Sequence, residues 1–588
     1  MTRRLLILAV LAAAAGALFP RSAEAHAMLE RTFPQRGAQL ARAPALVSFG
    51  FDEPVDASLG AVKVFDSRGH EVQQGAAFHP GGHGADVAVR MRAHLPDGDY
   101  TATYHVISAD SHPVSGGLTF TIGAGAASGA SVATLLRGQS SGPVTATAFS
   151  VVRAVQYGAI ALALGTAAFL LVCWLPALGE VAGGGARWAA ATAAFAAGTR
   201  TLLFAASGAG IVSALLAIGL EGAVGEGSSL WSAVRTDVIR DVLSTRFGFA
   251  WAASLAIWLI AGAGVLFARA SVPVLRPAAV GATGLALPRS RRGLIALGAP
   301  LCLLTLLPAL AGHASVQAPV WLMLPANVLH VAAMAVWLGG IAVLVLVLRR
   351  ATRRLETEER APLLVAVVSR FSTLAGAAFA VLLASGIVQG IVEVASVSAL
   401  VHTAFGRAVL IKMVLFAVLV RLGWENRARI LPALRGMAHD PVRAGVLLRR
   451  TLRLELAIAV VVLGVTGALA GYPPSTAVSS GPVSREADIG PAHLQATVDP
   501  ARVGPDQIHL YLFDHHTGAE FTSAKQVTIT AALPARGIAP IAMNVSPAGP
   551  GHYIASGTLG VAGDWRLTVT VRVSTFDEYV ARLSVPVR

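Results

Sequence analysis

The alternation of hydrophobic and polar residues identifies a first part of the chain between residues 26 and 122. Five stretches there alternate apolar with polar residues and are separated by Gly, Pro and Asp turns: VSFGFDEPV, AVKVFDSRG, ADVAVRMR, GDYTATYHVIS and GGLTFTIG. A period of two residues is typical of half-buried β-strands. Short strands at this spacing, without helical periodicity, predict a small β-sandwich or barrel.

The middle of the chain contains long apolar runs instead. Several exceed the roughly 18 residues that a membrane-spanning helix needs. We place about eight spans, at residues 150–178, 199–220, 247–268, 292–312, 325–349, 371–394, 407–423 and 453–472. A Gly/Ala/Ser-rich stretch, residues 123–149, is predicted to be a flexible linker to this transmembrane domain at 150–474.

The alternating pattern returns after a second linker at residues 475–487. QIHLYLFD, KQVTITAAL and DWRLTVTVRV predict strands of a further β-sandwich at 488–588. The fold class is therefore a multidomain membrane protein. It has an N-terminal all-β sandwich or barrel, a central α-helical bundle of about eight transmembrane helices, and a C-terminal β-sandwich.

The first 25 residues have the pattern of a signal peptide. Arg3 and Arg4 precede an apolar core, and Ala23-Glu24-Ala25 forms a small-x-small cleavage site. Cleavage there would make His26 the first residue of the mature chain. Its free α-amine and its imidazole can then close a chelate ring on one metal ion, which no internal histidine can do.

Composition and charge place the chain in a membrane. It has 588 residues, 55% hydrophobic and only 13% charged, whereas soluble proteins carry about 25% charged residues. The net charge of +14 does not indicate nucleic acid, because the positive residues cluster in alternate loops of the helical part. These residues are Arg289, Arg291, Arg292, Arg349, Arg350, Arg353, Arg354, Arg427, Arg429, Arg435, Arg443, Arg449, Arg450 and Arg453.

The charged loops also predict the orientation. The positive-inside rule puts the Arg-rich loops in the cytoplasm, and residues 313–326 contain no Lys or Arg at all. A cleaved signal peptide and an even number of spans leave both β domains on the outer side. We therefore expect a multi-pass protein of the cytoplasmic membrane whose N- and C-terminal domains are periplasmic or extracytoplasmic.

The chain has two cysteines, Cys173 and Cys302, and both fall within predicted spans. The exported domains therefore have no disulfide framework and no thiolate metal site. A metal bound there must be held by nitrogen, oxygen or thioether ligands.

Asp110 and His112, in SADSHPVSGG, supply a carboxylate and an imidazole at i and i+2. At a strand end both side chains face the same side of the sheet. Taken alone, such a pair is more often a solvated turn. Together with the amine and imidazole of His26 it makes an N3O set, and tetragonal nitrogen and oxygen ligation favours Cu(II).

The stretch HAMLERTFPQRGAQLARAPALVSFGFDEPVD resembles the start of the CopC family of exported copper-binding proteins. The matching positions are Thr32, Pro34, Gly37, Glu53, Pro54 and Val55, and SADSHPVSGG resembles the second signature of that family. The resemblance implies a Cu(II) site at His26, Asp110 and His112. Only Met28 and Met91 lie in the domain, which argues against a Met-rich Cu(I) site. His79 and His83, in FHPGGHG, are weaker candidates, with a flexible polar loop as the alternative.

The membrane part resembles the CopD family through AGHA, HVAAMAVWLGG, FGRAVLIKMVL, ENRARILPAL and RLELAIAVVVLGVTGALAGYPP. Because ionisable residues at membrane depth are candidates for function, we expect His313 and His330 to be copper ligands near the outer face. The alternative is an interfacial histidine bonded to a neighbouring helix. Lys412 and Glu455 are weaker candidates: Lys412 would otherwise pair with a carboxylate or snorkel, and Glu455 would sit among headgroups.

The C-terminal stretch GPGHYIASGTLGVAGDWRLTVTVR resembles the YtkA-like and FixH-like exported β-sandwich modules. His552, with Asp514, His515 and His516, is a candidate for another metal site there. The alternative is a set of surface histidines on a sandwich whose core holds Trp565.

These features predict a copper-binding membrane protein, not an enzyme. It captures Cu(II) outside the cytoplasm and transports copper across the cytoplasmic membrane, most simply inward, with Cu(I) as a candidate species in the membrane domain. No Walker-type motif is present. The expected partners are copper ions, the lipid bilayer and, if Cu(I) is carried, a reductase or copper chaperone.

Three alternatives remain open from the sequence. The same ligands would serve sequestration for copper resistance without transport. A histidine brace on a β-sandwich also resembles the lytic polysaccharide monooxygenases, although Asp110 would occupy a position that oxygen chemistry needs open. His313 and His330 are also candidates for axial haem ligands.

Overall fold

The computed structural model describes residues 27, 29–35, 38–57, 62–109, 113–123, 141–271, 298–394, 396–430, 432, 441–472, 483–499, 501–515 and 520–587. The signal segment and residues 26, 110 and 112 lie outside these ranges.

The N-terminal domain is a β-sandwich of two four-stranded sheets. Its strands are β1 (Leu29–Phe33), β2 (Gln39–Leu40), β3 (Leu46–Phe51), β4 (Val62–Phe65), β5 (Gln73–Phe78), β6 (Asp86–Met91), β7 (Gly98–Ile107) and β8 (Pro113–Ile122). One sheet has the order β1-β3-β6-β5 and the other β2-β8-β7-β4. The five predicted strands are β3, β4, β6, β7 and β8; the sequence analysis missed the shorter or more exposed β1, β2 and β5.

Alternating side chains of β3 and β7 form the core between the two sheets. Phe49 and Phe51 are at most 2% exposed, and both rings contact Tyr104 of the opposite sheet, at centroid distances of 4.9 and 5.4 Å. Rings packed at such distances contribute beyond their buried area. The strands β7 and β8 pair antiparallel from Gly98–Ile122 to Ile107–Pro113, so they hold residues 107 and 113 side by side.

The central part is helical. Its helices are α1 (Gly142–Val181), α2 (Ala186–Gly225), α3 (Thr236–Ser244), α4 (Arg246–Ser271), α5 (Gly298–Ala311), α6 (Val320–Thr352), α7 (Thr357–Glu393), α8 (Val397–His402), α9 (Ala404–Glu425) and α10 (Pro441–Leu469). The first helix begins at Gly142, so the helical domain starts earlier than the predicted linker end at residue 149. Short π segments lie within α1 at 170–174 and within α6 at 344–348, and a third follows α9 at 426–430.

Six of the described helices are long and apolar enough to cross a membrane: α1, α2, α4, α6, α7 and the part of α10 from Gly445. The two other predicted spans are helical as well. In the described residues α5 covers 298–311 and is shorter, and α9 carries Arg407, Lys412 and Arg421. The protein is therefore a multi-pass membrane protein with a helix number close to the prediction.

The C-terminal domain is a second β-sandwich. Its strands are β9 (Val483–Ile489), β10 (Ala492–Asp499), β11 (Gly504–Asp514), β12 (Gln526–Leu533), β13 (Ile538–Ala542), β14 (Asn544–Gly549), β15 (His552–Leu559), β16 (Gly563–Arg572) and β17 (Glu578–Val587). They form sheets of order β14-β15-β11-β10-β9 and β13-β12-β16-β17. Trp565 is 1% exposed in the core, which confirms its predicted place.

Candidate metal sites

The predicted ligands His26, Asp110 and His112 lie outside the described residues, but their immediate neighbours are described. The amide of Ala27 donates to Oγ of Ser108 over 3.3 Å, and both residues are at most 1% exposed. Ala27 follows His26 in the chain and Ser108 precedes Asp110 by two positions. The fold therefore joins the two segments that carry the predicted ligands, although they are more than 80 residues apart in sequence.

Glu53 stabilises the junction between these two segments. Its Oε1 accepts hydrogen bonds from Oγ of Ser108 at 2.5 Å and from the amide of Ala109 at 3.2 Å. A carboxylate that accepts several hydrogen bonds is a strong and specific anchor. Glu53 belongs to the stretch that resembles the CopC family, and its structural role is to hold the end of β7 beside the N-terminal segment.

His79 and His83 bind backbone rather than each other. They flank a short 3₁₀ turn, Pro80–Gly82. Nδ1 of His79 lies 2.8 Å from the carbonyl oxygen of Asp86, and Nδ1 of His83 lies 3.2 Å from that of Pro80. Each imidazole therefore has a structural partner of its own.

His330 lies within α6 and faces α7. Its Nδ1 is 3.0 Å from Oγ of Ser385, and a Cβ at Gly386 would be in ordinary van der Waals contact with Cε1 of His330, at 3.5 Å. His313 begins a 3₁₀ turn between α5 and α6 and meets the ring of Phe405 edge-on at 6.4 Å. Both histidines are half-buried.

Glu393, which the sequence analysis missed, connects the candidates in the membrane domain. It is the last residue of α7 and interacts electrostatically with both His313 and Lys412. Lys412 also lies close enough to His330 to interact with it electrostatically. The signal was present in the sequence, because Glu393 is an acidic residue inside the predicted span 371–394 and such residues are candidates for function.

Glu455 belongs to a different polar group. It is 2% exposed, and its Oε1 accepts from Nδ2 of Asn426 at 2.6 Å. Oδ1 of Asn426 in turn accepts from Oγ1 of Thr451 at 2.6 Å. Glu455 is thus a buried carboxyl group tied to Asn426, the residue directly after α9.

The histidines of the C-terminal domain divide into two groups. His515 and His493 both approach Oδ1 of Asp488, at 3.5 and 3.0 Å. His552 is buried at 4% exposure, with its Nε2 3.2 Å from Nδ1 of His509 and its ring stacked on Tyr511 at 4.3 Å. The alternative that His552 is a surface histidine is therefore wrong, because His552 begins β15 directly opposite Tyr511 of the neighbouring strand β11 and is buried there. His516 lies outside the described residues.

Burial gives His552 a pH-dependent effect on stability. Desolvation lowers its pKa to about 4, below the value near 6.5 of an unfolded histidine. The neutral ring therefore stabilises the domain above pH about 6.5, and this contribution is lost as pH falls toward 4. A shift of this size corresponds to roughly 3 kcal/mol.

Hydrogen exchange in the purified full chain tests this effect. We expect the amides of β11 and β15 to lose protection between pH 6.5 and 4, after correction for intrinsic exchange rates. In His552→Phe, which keeps a stacked ring but cannot be protonated, this loss should be much smaller. Equal losses in both proteins would contradict the role of His552.

Among the described residues, no three His, Cys, Asp or Glu side chains are placed to hold one metal ion. Cys173 is buried and Cys302 exposed, both unpaired by a disulfide.

Comparison with known proteins identifies two of the three parts. The CopC domain family matches residues 29–123, and the family described as copper resistance protein D, CopD, matches residues 365–469. The chain contains a CopC domain and a CopD domain. The first covers the N-terminal sandwich, and the second runs from α7 to α10, so that it includes Ser385, Glu393, Lys412 and Glu455.

Two relatives with copper-related names match most of the chain or a quarter of it. The chain is 28% identical over 516 residues to the copper transport protein CutJ of Bacillus subtilis, which covers 87% of this chain and 86% of that protein. It is 30% identical over 152 residues to copper resistance protein D of Pseudomonas syringae pv. tomato, covering 25% and 48% of the two chains. The match to CutJ extends well beyond the CopC and CopD domains.

Solved structures match the CopC domain. CopC from Methylosinus trichosporium OB3b is 26% identical and covers 16% of this chain and 93% of its own, with a TM-score of 0.16. PcoC from Escherichia coli, described as a methionine-rich copper resistance protein, is 27% identical and covers 16% and 98%, with a TM-score of 0.15.

Proposed function

We propose that this protein captures Cu(II) outside the cytoplasm with its CopC domain and moves copper inward across the cytoplasmic membrane through its helical domain. In this proposal His26, Asp110 and His112 hold Cu(II), and His313 and His330 receive copper in the membrane. Both β domains lie on the outer side. Copper is the cargo, and no catalytic reaction is required.

The observation that carries the capture step is the hydrogen bond from Ala27 to Ser108. It ties the segment next to His26 to the segment next to Asp110, within a junction that Glu53 anchors. Two imidazoles, an amine and a carboxylate are a donor set that fits tetragonal Cu(II). A buried, hydrogen-bonded junction is what orients ligands that come from distant parts of a chain.

Two further observations support transport over simple sequestration. The relative that matches most of the chain is named a copper transport protein. The helical domain also brings four ionisable groups together. Glu393 interacts electrostatically with His313 and Lys412, and Lys412 interacts electrostatically with His330. A domain that served only as an anchor would not need ionisable groups at membrane depth, since each is costly there.

The copper content of the cytoplasm tests the direction of transport. We expect a strain without this gene to contain less cytoplasmic copper than its parent under copper-limited growth, by elemental mass spectrometry of the separated cytoplasmic fraction. The gene supplied in trans should restore the level. A higher level in the deletion strain would instead favour sequestration or export.

A further inference from the structure

We propose that copper enters the helical domain along a row of polar side chains between α6 and α7, here called the file, which consists of His330, Ser385, Asn327, Gln389 and Glu393. Glu393 is the acidic residue that binds copper at the entrance of the file. This inference rests on the proposed function. It adds Glu393, Asn327, Gln389 and Ser385 to the two histidines that the sequence analysis singled out.

The two helices meet through successive polar pairs. Nδ1 of His330 is 3.0 Å from Oγ of Ser385, and Nδ2 of Asn327 donates to Oε1 of Gln389 at 3.1 Å. Nε2 of Gln389 also donates to the carbonyl oxygen of Ser385 at 3.1 Å. The two pairs lie one turn apart on both helices.

The spacing on α7 makes these pairs continuous with Glu393. Ser385, Gln389 and Glu393 follow one another at i, i+4 and i+8, so they share one face of the helix. Eight residues of helix span about 12 Å. His330 is ten residues after Val320, the start of α6, or about 15 Å along the axis. The file therefore leads from the end of α7 into the helical domain along the contact between α6 and α7.

The charged groups at the Glu393 end of the file suit the binding of a cation. Glu393 interacts with Lys412 and with His313. A carboxylate at membrane depth is expensive unless a positive charge accompanies it. A copper ion arriving at Glu393 can take the place of the Lys412 ammonium as the positive charge that accompanies this carboxylate.

The file is not fully satisfied by its own hydrogen bonds. Oδ1 of Asn327 is buried and has no hydrogen-bond partner among the described residues. Lone oxygen and nitrogen acceptors along a path are what a passing cation or its water ligands require. A second buried polar cluster in the same bundle differs in this respect: the amide of Gln156 donates to Ser254 at 2.7 Å and accepts from Ser213 at 2.6 Å.

The unsatisfied oxygen of Asn327 distinguishes a transport route from a polar cluster that only holds helices together. Polar side chains in membrane proteins often serve only to hold helices together, and the closed cluster around Gln156 has the contacts of that role. Ser385 and Ser254 are both at most 6% exposed, and each hydroxyl contacts one polar side chain of a neighbouring helix. They therefore form a matched pair for mutation.

Copper uptake by proteoliposomes that contain the purified full chain tests the route. Copper is supplied as Cu(II) and, in parallel, as Cu(I) kept reduced with ascorbate, and internal copper is counted after external copper is chelated. We expect Glu393→Gln to lower the initial rate at least about tenfold, a factor equivalent to about 1.4 kcal/mol. Glu393→Asp should retain most of the rate, and Ser385→Ala should lower it clearly while Ser254→Ala leaves it close to that of the parent.

The outcomes are distinct. Absence of uptake by the parent chain would overturn the proposed function and this inference with it. Uptake by the parent that is unchanged in Glu393→Gln would overturn the route alone. If Glu393→Gln fails to give monodisperse protein, the Ser385→Ala and Ser254→Ala pair decides: equal rates would overturn the route, and selective loss in Ser385→Ala would support it.

Discussion

One extra residue before His26 should remove tight Cu(II) binding by the mature protein. A glycine inserted between Ala25 and His26 leaves every side chain in place but moves the free α-amine away from the imidazole, so that the chelate ring cannot close. Outer-shell changes at metal sites already cost about 10–100-fold in affinity, and loss of a direct ligand should cost about 100-fold or more. Competition with a Cu(II) chelator of known affinity measures the change.

The controls for this experiment are within the same domain. The mature N-terminus of each protein must first be established by mass spectrometry. His112→Ala should reduce affinity to a similar degree, whereas His79→Ala should have little effect, because its imidazole is engaged with the carbonyl oxygen of Asp86. Unchanged affinity in the extended protein would refute the histidine chelate as the Cu(II) site.

A methyl group at the crossing of α1 and α6 should sharply lower the yield of folded protein. A Cβ at Gly165 would lie 2.4 Å from the carbonyl oxygen of Ala335 and 2.5 Å from Cα of Gly339. A Cβ at Gly339 would likewise lie 2.0 Å from the carbonyl oxygen of Ala161. These contacts are with backbone, which cannot move aside as a side chain can, and close approach of backbones at small residues is what holds such helices together.

We therefore expect Gly165→Ala and Gly339→Ala each to destabilise the helical domain by at least about 3 kcal/mol, the upper range for overpacked cores. The measurement is the temperature at which the detergent-purified protein loses its monodisperse peak. Gly376→Ala in α7 is the matched control, because a Cβ there meets no atom within 4 Å and alanine is the better helix former. Equal stability of Gly165→Ala and Gly376→Ala would contradict the close crossing.

The closest agreement between sequence and structure concerns elements whose pattern is local. Strand β3 alternates buried Val47 and Phe49 with partly exposed neighbours, and a two-residue period of this kind is visible in the sequence. The short β2 and the exposed β5 were missed because neither buries an alternating face. In a similar way, the apolar runs indicated the helices but not their ends, since α1 continues outward to Gly142.

The candidate site residues show the same difference between features that are visible locally in the sequence and features that depend on tertiary contacts. His330 was found because it interrupts an apolar run. Its partner Ser385 was not found, because nothing in the sequence distinguishes this serine from others on helices until the opposing helix is known. Burial of His552 was also not foreseen, because its contact with His509 depends on how β11 and β15 align, 43 positions apart.

The sequence by itself determined the order of domains and the membrane class, and it predicted the signal segment and the copper ligands, because these depend on composition and short-range periodicity. Only the tertiary structure decided which distant segments of the chain meet. Ala27 reaches Ser108 across 81 positions, and Asn327 reaches Gln389 across 62. Such pairs are set by sheet register and by helix packing, which depend on the whole core and leave no local pattern in the chain.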